Sequence, residues 1–443
     1  MPTSALRQRL NAALLDFAWD EWAQMGVLAT PGRRSPWAQD PEALLLLTLE
    51  LARDDPRLFD EVLDWLGHNE PVVSTRRLRS LCEDCDDERL VSATLNWVAG
   101  RRGRQPPRPP APGDRAPEPL FRGLSAPVRS ADAAFLAHGL LRPEAIPSGK
   151  SRDPDLTLPI NFAFRLRHLL GVSARAETVR FLLTSDVQSA SVAAVASSGG
   201  YAKRNVQEAL RGLHAAGAVS VIAVGAERRY RTDRAVWAHL LGSDASDLPI
   251  HRDWPQLLGA LRRMLRWLAR PELARFSEYL LASQARDLLD EIHPRLAQAG
   301  VVTAASRGGD TGWKDLVETV ERTLVALDPG NATVERSADF EVYADATRHH
   351  RWRLNATNGR IVATSSESYA SRASAKVAAE RLRSNPDSYE YVIDVDEAGN
   401  YRWRASAADG QNIAASGESF ASRHDAERAA RGARDLAASA AGP

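Results

Sequence analysis

The sequence predicts a mainly α-helical, multidomain protein that ends in an α+β tandem repeat. Three observations lead to this prediction: amphipathic helical patterns dominate residues 1–328, a Pro-rich segment interrupts them after residue 99, and the chain aligns with itself beyond Asp339. At 443 residues, with 44% apolar and 26% charged side chains, the chain has ordinary globular composition and enough length for several cores.

Composition also limits the function classes. The only cysteines are Cys82 and Cys85, and there is no apolar leader or run of 18 apolar residues, so we predict a cytoplasmic protein without disulfides or a membrane span. The spacing of the two cysteines equals half of a zinc knuckle or a redox pair, but a second ligand pair is missing. Two ordinary reduced thiols are therefore the favoured interpretation, and we predict no metal and no other cofactor.

Residues 1–99 are predicted to form an acidic helical domain. Leu44–Leu51 is almost continuously apolar after Pro41, a residue that suits a first helical turn. A further short helix, capped by Ser74, is expected to expose three arginines: Arg76, Arg77 and Arg79. The region holds ten Arg against seventeen Asp or Glu, and phosphate repels such a negative charge at long range. We therefore favour protein docking over DNA binding for this domain.

Residues 100–119 are predicted to form a linker. Between Arg101 and Pro119 the chain holds seven prolines and five arginines. Proline lacks the amide hydrogen that helices and sheets use, so this segment is expected to be extended and semi-rigid. The linker separates the acidic domain from a second domain, residues 120–245.

This second domain contains a helix at 161–170 followed by a series of short elements. A helix around Val179–Leu183 precedes a shorter one that Ser191 can cap, and the third helix is predicted from Tyr201 to Ala216. Two strand-like runs then flank the turn Gly225-Ala226-Glu227; they are Val219–Val224 and Arg228–Arg231. Helix, short helix, basic helix and hairpin in this order form a winged helix-turn-helix, which is a DNA-reading module.

The third helix and the hairpin carry the predicted DNA-binding residues. In the major groove, Arg and Lys bond guanine edges, and Asn and Gln bond adenine edges. The side chains predicted to enter that groove are Lys203, Arg204, Asn205, Gln207 and Arg211. The hairpin arginines predicted to contact phosphates, which fix register without reading bases, are Arg228, Arg229 and Arg231.

Residues 171–241 resemble the ArsR-like and related winged-helix bacterial regulators. The resemblance rests on the segments ARAETVRFLLT, ASVAAVASSGGYAKRNVQEALRGLHAAGAV and ERRYRTD, which are similar to that family's first helix, helix-turn-helix and wing. It implies a transcriptional regulator that binds double-stranded DNA. No cysteine pair of a metal sensor lies in this segment, so a metal response is not implied.

Two interpretations of function stay open at this point. A local excess of nine Lys or Arg over five Asp or Glu in residues 171–241 favours DNA binding. Winged helices also dock proteins, so the alternative is a non-DNA adaptor or antitoxin-like protein that binds a partner enzyme through its acidic amino-terminal domain. Nucleotide-loop, zinc-protease and hydrolase motifs are missing from the sequence, and we predict that the protein is not an enzyme.

Residues 246–328 hold three amphipathic helical segments, 254–268, 272–296 and 313–327. In the first, Leu257, Leu261 and Leu265 form an apolar stripe. Flanking helices of this kind often build the dimer of winged-helix regulators, so a homodimer through this region is one prediction.

Beyond Asp339 the chain repeats itself at an offset of 51 residues without a gap. Seventeen of forty-four aligned positions are identical, and the Arg-Trp-Arg motif at 351–353 matches the one at 402–404. Each repeat, 339–389 and 390–438, predicts three strands and a helix. Strand alternation places Trp352 and Trp403 under the helices and the flanking arginines on the other face. That face could bind nucleic acid or an acidic protein, although a solvated face is the favoured interpretation.

Residues 339–438 resemble the YegP-like tandem-repeat family. The Arg-Trp-Arg motifs, the turns Asn358-Gly359 and Asp409-Gly410, and the Glu-Ser-aromatic-x-Ser-Arg stretches at 367–372 and 418–423 carry the resemblance. It implies two β-β-β-α units in one antiparallel sheet. It implies no activity, and no site residues follow from it.

Overall fold

The structure, a computed structural model, divides into two compact units. The first comprises Met1–Val221 and Arg229–Ala332, and the second comprises Ile222–Arg228 and Thr333–Pro443. The described residues are 2–104, 116–122, 128, 130–185, 187, 189–224, 227–243, 247–303, 311–331, 339–345, 349–355, 361–396, 399–420 and 422–440. Most of the predicted linker and the predicted turns at Gly225-Ala226 and Asn358-Gly359 lie outside these residues.

The first unit consists mainly of helices. They are α1 (Thr3–Gln24), α2 (Pro41–Leu51), α3 (Pro56–Asn69), α4 (Thr75–Ser80), α5 (Cys85–Arg101), α6 (Ala133–Leu136), α7 (Phe162–Leu170), α8 (Ala174–Thr184), α9 (Val192–Gly199), α10 (Lys203–Ala215), α11 (Arg234–Leu240), α12 (Trp254–Leu268), α13 (Glu278–Gln298) and α14 (Gly312–Leu327). The short strands in the described residues before residue 232 are β1 (Glu118–Pro119), β2 (Leu140–Leu141), β3 (Ala190–Ser191), β4 (Ser220–Val224) and β5 (Glu227–Arg231). β1 pairs with β2 in parallel, and β5 lies between β3 and β4.

One hydrophobic core joins the amino-terminal helices α1–α5 to α12–α14. Three of its buried tryptophans donate their indole N–H groups to other parts of the chain: Trp22 to Thr48 Oγ1 at 2.8 Å, Trp65 to Met25 O at 2.7 Å and Trp254 to Ala38 O at 3.0 Å. A buried N–H without a partner would cost about 1–3 kcal/mol, so these bonds make the large side chains compatible with burial. Residues 1–99 and 246–328, predicted from the sequence to be separate regions, share this core.

The leucine stripe of α12 lies inside this core. Leu257 and Leu261 are fully buried, and α12 packs against α1 and α2. The apolar surface that suggests a dimer contact in the sequence is therefore covered by the chain's own helices.

A second core in the first unit groups α7–α11. The stripes of α8 and α10 meet there, with Val179, Leu183, Val206 and Leu210 buried as the sequence predicts. α10 begins two residues later than expected, because Ala202 has an extended conformation. β3 is not predicted from the sequence, since a two-residue strand carries no alternation that can be recognised.

The described residues of the second unit form a six-stranded antiparallel sheet and two α-helices. Its elements are β6 (Asp339–Ala344), β7 (His350–Asn355), β8 (Ile361–Ser365), α15 (Arg372–Ser384), β9 (Glu390–Val395), β10 (Tyr401–Ser406), β11 (Asn412–Ser416) and α16 (Arg423–Ser439). The strand order is β6-β7-β8-β11-β10-β9. This order confirms the prediction of two β-β-β-α repeats in one sheet.

The two repeats meet at their third strands. β8 pairs with β11, and Thr364 faces Ala415, which is its own equivalent at the offset of 51 residues. The pairing therefore has local two-fold symmetry. Trp352 and Trp403 occupy equivalent positions and are buried in a core that includes residues of α15 and α16.

The predicted arginine face of this sheet is electrically compensated. The ion pairs are Arg351–Asp345, Arg353–Glu341, Arg402–Asp396 and Arg404–Asp394. Exposed pairs of this kind add little stability, but each one cancels a positive charge. The face is thus poorly suited to attract phosphate, in agreement with a solvated surface.

Among the described residues, no helix combines the length and the apolarity that a bilayer crossing requires.

Candidate nucleic-acid interface

The turn between α9 and α10 determines where α10 begins. Ser191 caps α9 by accepting a hydrogen bond from Ala194 N at 3.2 Å, as the sequence predicts. Gly200 ends α9 with a φ of +66°, in the left-handed region that favours glycine. A Cβ at this position would lie 2.7 Å from Leu81 Cδ2, so the leucine side chain would have to shift in addition to the strain on the backbone.

The solvent side of α10 carries most of the residues predicted to contact bases. Lys203, Arg204, Gln207 and Arg211 are exposed, and Asn205 is half-buried. Within the described part of the chain these five side chains form no hydrogen bond or ion pair. The helix therefore presents three cations and two amide side chains that are available to a ligand.

The hairpin arginines differ from one another. Arg228 is exposed, whereas Arg229 and Arg231 are half-buried. Arg229 donates from Nη2 to Ser189 O at 2.9 Å, next to β3. Arg229 thus has a structural contact with the chain before β3, which the sequence does not indicate.

Arg77, expected to be exposed, is instead fully buried. Its Nε donates to Gly199 O at 2.5 Å, and Ser80 Oγ donates to Gly200 O at 3.1 Å. The short helix α4 is therefore bonded directly to the turn that precedes α10. The expectation was wrong because the carboxylates that compensate Arg77 are distant in the sequence.

Six buried charged side chains surround this contact, and we call them the buried ion cluster: Asp40, Glu42, Arg77, Arg167, Glu177 and Arg180. Arg77 bonds Asp40 and Glu42, Arg167 bonds Glu42 and Glu177 at 2.7 Å each, and Arg180 bonds Glu177 at 2.7 Å. Three carboxylates balance three guanidinium groups, which is the condition under which charges are tolerated inside a protein. The cluster connects α2, α4, α7 and α8.

Ion pairing outweighs burial in this cluster. Burial alone would raise the pKa of Asp40, but Arg77 and Arg180 hold that pKa below its usual value. Burial also opposes ionisation of Glu177, yet Arg180 and Arg167 keep its pKa well below the usual range. Both carboxylates are therefore ionised at neutral pH, and the bonds that fix α4 beside the turn persist there.

A cleft of about 470 Å³ opens beside α10. Its wall includes Arg76 of α4, Arg175 of α8, and Asn205 and Glu208 of α10. Both arginines are exposed and have no ion-pair partner among the described residues. Two guanidinium groups face one carboxylate, so the cleft carries a net positive charge.

Many acidic residues of the amino-terminal region are paired within the first unit. Asp87 bonds Arg262 and Arg266, and Glu50 also bonds Arg266. These arginines lie on α12 in the carboxyl-terminal part of the same unit. Much of the negative charge that suggested a protein-docking surface is therefore compensated internally.

The two cysteines show no sign of a shared role. Cys82 is half-buried, and burial raises the pKa of its thiol to about 11, whereas Cys85 is exposed. A raised pKa disfavours the thiolate, which is the form that binds metals and exchanges disulfides. In the part of the chain that the structure describes, no cluster of three or more His, Cys, Asp or Glu could hold a metal ion.

Comparison with known proteins assigns the carboxyl-terminal repeat. Residues 345–390 and 396–441 each match the model of a domain of unknown function, DUF1508. The repeat is therefore a tandem DUF1508, or YegP-like, domain. Comparison with curated proteins gives no match.

Two solved structures are similar to the same part of the chain. The E. coli protein of unknown function yegP is 27% identical, with a TM-score of 0.22, over 24% of this chain and 89% of that one. A UPF0339 protein from Shewanella oneidensis is 22% identical, with a TM-score of 0.21, over 23% of this chain and 85% of that one.

Proposed function

We propose that the protein is a DNA-binding transcriptional regulator of bacterial type, which reads duplex DNA with α10. In this proposal residues 171–241 form a winged helix-turn-helix, with α8 as its first helix, α9 and α10 as the helix-turn-helix and β4–β5 as the wing. The order of the elements and the position of β5 between β3 and β4 support this interpretation.

The observation that carries the proposal is the net positive charge of α10, whose three cations outnumber its one carboxylate, Glu208. Elsewhere in the first unit, arginines on helices are commonly paired with carboxylates, such as Arg262 with Asp87 and Arg263 with Glu291. Lys203, Arg204 and Arg211 have no such partner in the described residues. An exposed cation that forms no ion pair can attract phosphate and guanine edges.

The side chains divide into two expected roles. Lys203, Arg204, Asn205, Gln207 and Arg211 would enter the major groove and distinguish bases. The wing arginines, Arg228, Arg229 and Arg231, would contact phosphates. Because Arg229 also bonds Ser189 O, its replacement would disturb the link to β3 as well, and Arg204 is the cleaner test of DNA reading.

The experiment uses the intact chain, since the buried ion cluster ties α8 to α2 and an isolated central fragment would expose unpaired charges. Selection from a random-sequence duplex pool identifies a preferred site, and fluorescence anisotropy then measures binding of that duplex and of an unrelated one. Arg204→Ala should weaken binding of the preferred duplex by about 1–3 kcal/mol and reduce the discrimination between the two. Binding that is unchanged by Arg204→Ala, or a pool without enrichment, would refute the proposal.

A matched control is Arg275→Ala. Arg275 is an exposed arginine between α12 and α13 that forms no ion pair within the described residues, and its replacement removes the same charge. The control should leave both binding constants unchanged. An equal loss in both variants would show that total charge, and not the surface of α10, determines binding.

The alternative, a non-DNA adaptor that docks a partner enzyme on its acidic amino-terminal region, is less well supported. The carboxylates of that region that bond Arg77, Arg262 and Arg266 are not available to a partner. A homodimer remains a prediction, and it would need a surface other than the leucine stripe of α12. Size-exclusion chromatography with light scattering that gives the mass of one chain at micromolar concentration would reject it.

A further inference from the structure

The short helix α4 lies outside the predicted winged helix-turn-helix, yet it is fixed to the turn at the start of α10. Arg77 and Ser80 bond the carbonyl groups of Gly199 and Gly200, and Asp40 holds Arg77 from the other side. These bonds leave α4 little freedom to move relative to α10. Any side chain on the exposed face of α4 is therefore held at a defined position beside α10.

The exposed face of α4 is positively charged. Arg76 and Arg79 are three residues apart, so they lie on one face of the helix, and both are exposed. Within the described residues neither forms an ion pair or a hydrogen bond. Nearby carboxylates are engaged elsewhere, since Glu83 pairs with Arg295 and Asp84 pairs with Arg266.

Arg76 and the start of β4 lie on different sides of α10. His214 bonds Val219 O at 2.9 Å and so marks the side of α10 that faces the start of β4. Asn205 and Glu208 lie on the other side of the helix, and there they share the cleft with Arg76 and Arg175. α4 and the start of β4 thus lie on opposite sides of α10.

We propose that α4 is a second phosphate-binding element, which uses Arg76 and Arg79 to contact the DNA backbone next to the groove that α10 enters. This inference rests on the proposed function. Each DNA strand carries one charge per about 3.4 Å of helix axis, so two arginines about 5–6 Å apart at Cβ can each reach a phosphate. Arg76 lines the cleft, but Arg79 does not, so a single small anion bound in the cleft would contact only Arg76. A DNA backbone can contact both arginines and is therefore the better ligand.

The test compares the salt dependence of binding between variants of the intact chain. Binding of the selected duplex and of an unrelated duplex is titrated by anisotropy between about 50 and 200 mM salt, a range over which two phosphate contacts change the affinity by roughly one decade. For Arg76→Ala/Arg79→Ala, the slope of log K against log salt should fall by about 1.8, and both duplexes should lose affinity alike. Arg76→Lys/Arg79→Lys should keep most of the slope, since it keeps both charges.

The outcomes separate this inference from the proposed function. If Arg204→Ala impairs binding but the α4 variant keeps the wild-type slope, the inference is overturned and the proposed function stands. An intact chain that binds neither duplex at low salt overturns both. Arg275→Ala is the control for loss of one exposed charge. The urea unfolding midpoint of Arg76→Ala/Arg79→Ala should equal that of the wild type, because neither arginine side chain forms an ion pair or a hydrogen bond within the described residues.

Discussion

Replacement of Arg77 by methionine tests the buried ion cluster directly. The substitution keeps an unbranched side chain but removes one of three buried cations, so the carboxylates of Asp40 and Glu42 are left with an uncompensated negative charge. Removing one partner of a buried pair costs about 3–5 kcal/mol. Loss of the bond to Gly199 O adds to this cost, and we expect a total at the upper end of that range.

Urea unfolding measures the effect. With a slope of about 3 kcal/mol per molar urea, a loss of about 3–5 kcal/mol lowers the unfolding midpoint by at least about 1 M. Arg76→Met is the matched control, because Arg76 is the exposed neighbour on the same helix. Its free energy of unfolding should change by less than about 0.5 kcal/mol.

A second substitution identifies the cause of the loss. Asp40→Asn removes one negative charge and keeps the cap of α2, since asparagine accepts the hydrogen bond from Ala43 N as aspartate does. In the Arg77→Met background it should restore part of the lost stability, which gives a favourable coupling energy in a double-mutant cycle. Additive losses, or a loss below about 1 kcal/mol for Arg77→Met alone, would contradict the role assigned to the cluster.

Two further predictions concern titratable groups away from α10. Burial raises the pKa of Glu21 to about 7, so the folded state retains a proton that the unfolded chain releases near the ordinary carboxyl pKa, and this group lowers stability as pH rises between those values. The free energy of urea unfolding of Glu21→Gln, minus that of the wild type, should therefore be larger at pH 8 than at pH 5 by about 1–3 kcal/mol. An equal difference at the two pH values would contradict this. Cys85 should be alkylated by iodoacetamide faster than Cys82 at pH 8, because Cys82 is half-buried and burial raises the pKa of its thiol to about 11. Mass spectrometry of the Cys85→Ser and Cys82→Ser variants measures the two rates. Faster labelling of Cys82 would contradict the prediction.

Local signals in the sequence predict much of the fold. Ser191 and the leucines of α10 identify helix ends and buried faces, because caps and periodic apolar residues act within a few positions of themselves. The offset of 51 residues predicts the strands of the carboxyl-terminal sheet, since each repeat provides an independent reading of the same pattern.

Long-range pairing is what the sequence cannot predict. Arg77 looks exposed on a six-residue helix, because its partners Asp40 and Glu42 lie on another helix and Gly199 lies more than a hundred residues away. The shared core of α1–α5 and α12–α14 is hidden for the same reason, since an amphipathic stripe shows that a helix is covered but not by which segment. At the candidate interface, α10 is therefore predictable from its own residues, whereas the position of α4 beside it is not.

The pairing of β8 with β11 lets the two covalently connected repeats diverge in sequence without losing each other as partners. A lone repeat would end in an open backbone edge and would have to find a second copy by diffusion, whereas covalent connection holds the two halves at an effective concentration in the millimolar range. The connected form is in effect a tethered dimer that persists at any dilution. Its halves are also encoded separately, so one half can change while the other preserves the pairing of β8 with β11; Tyr369 and Phe420, at equivalent positions, already differ.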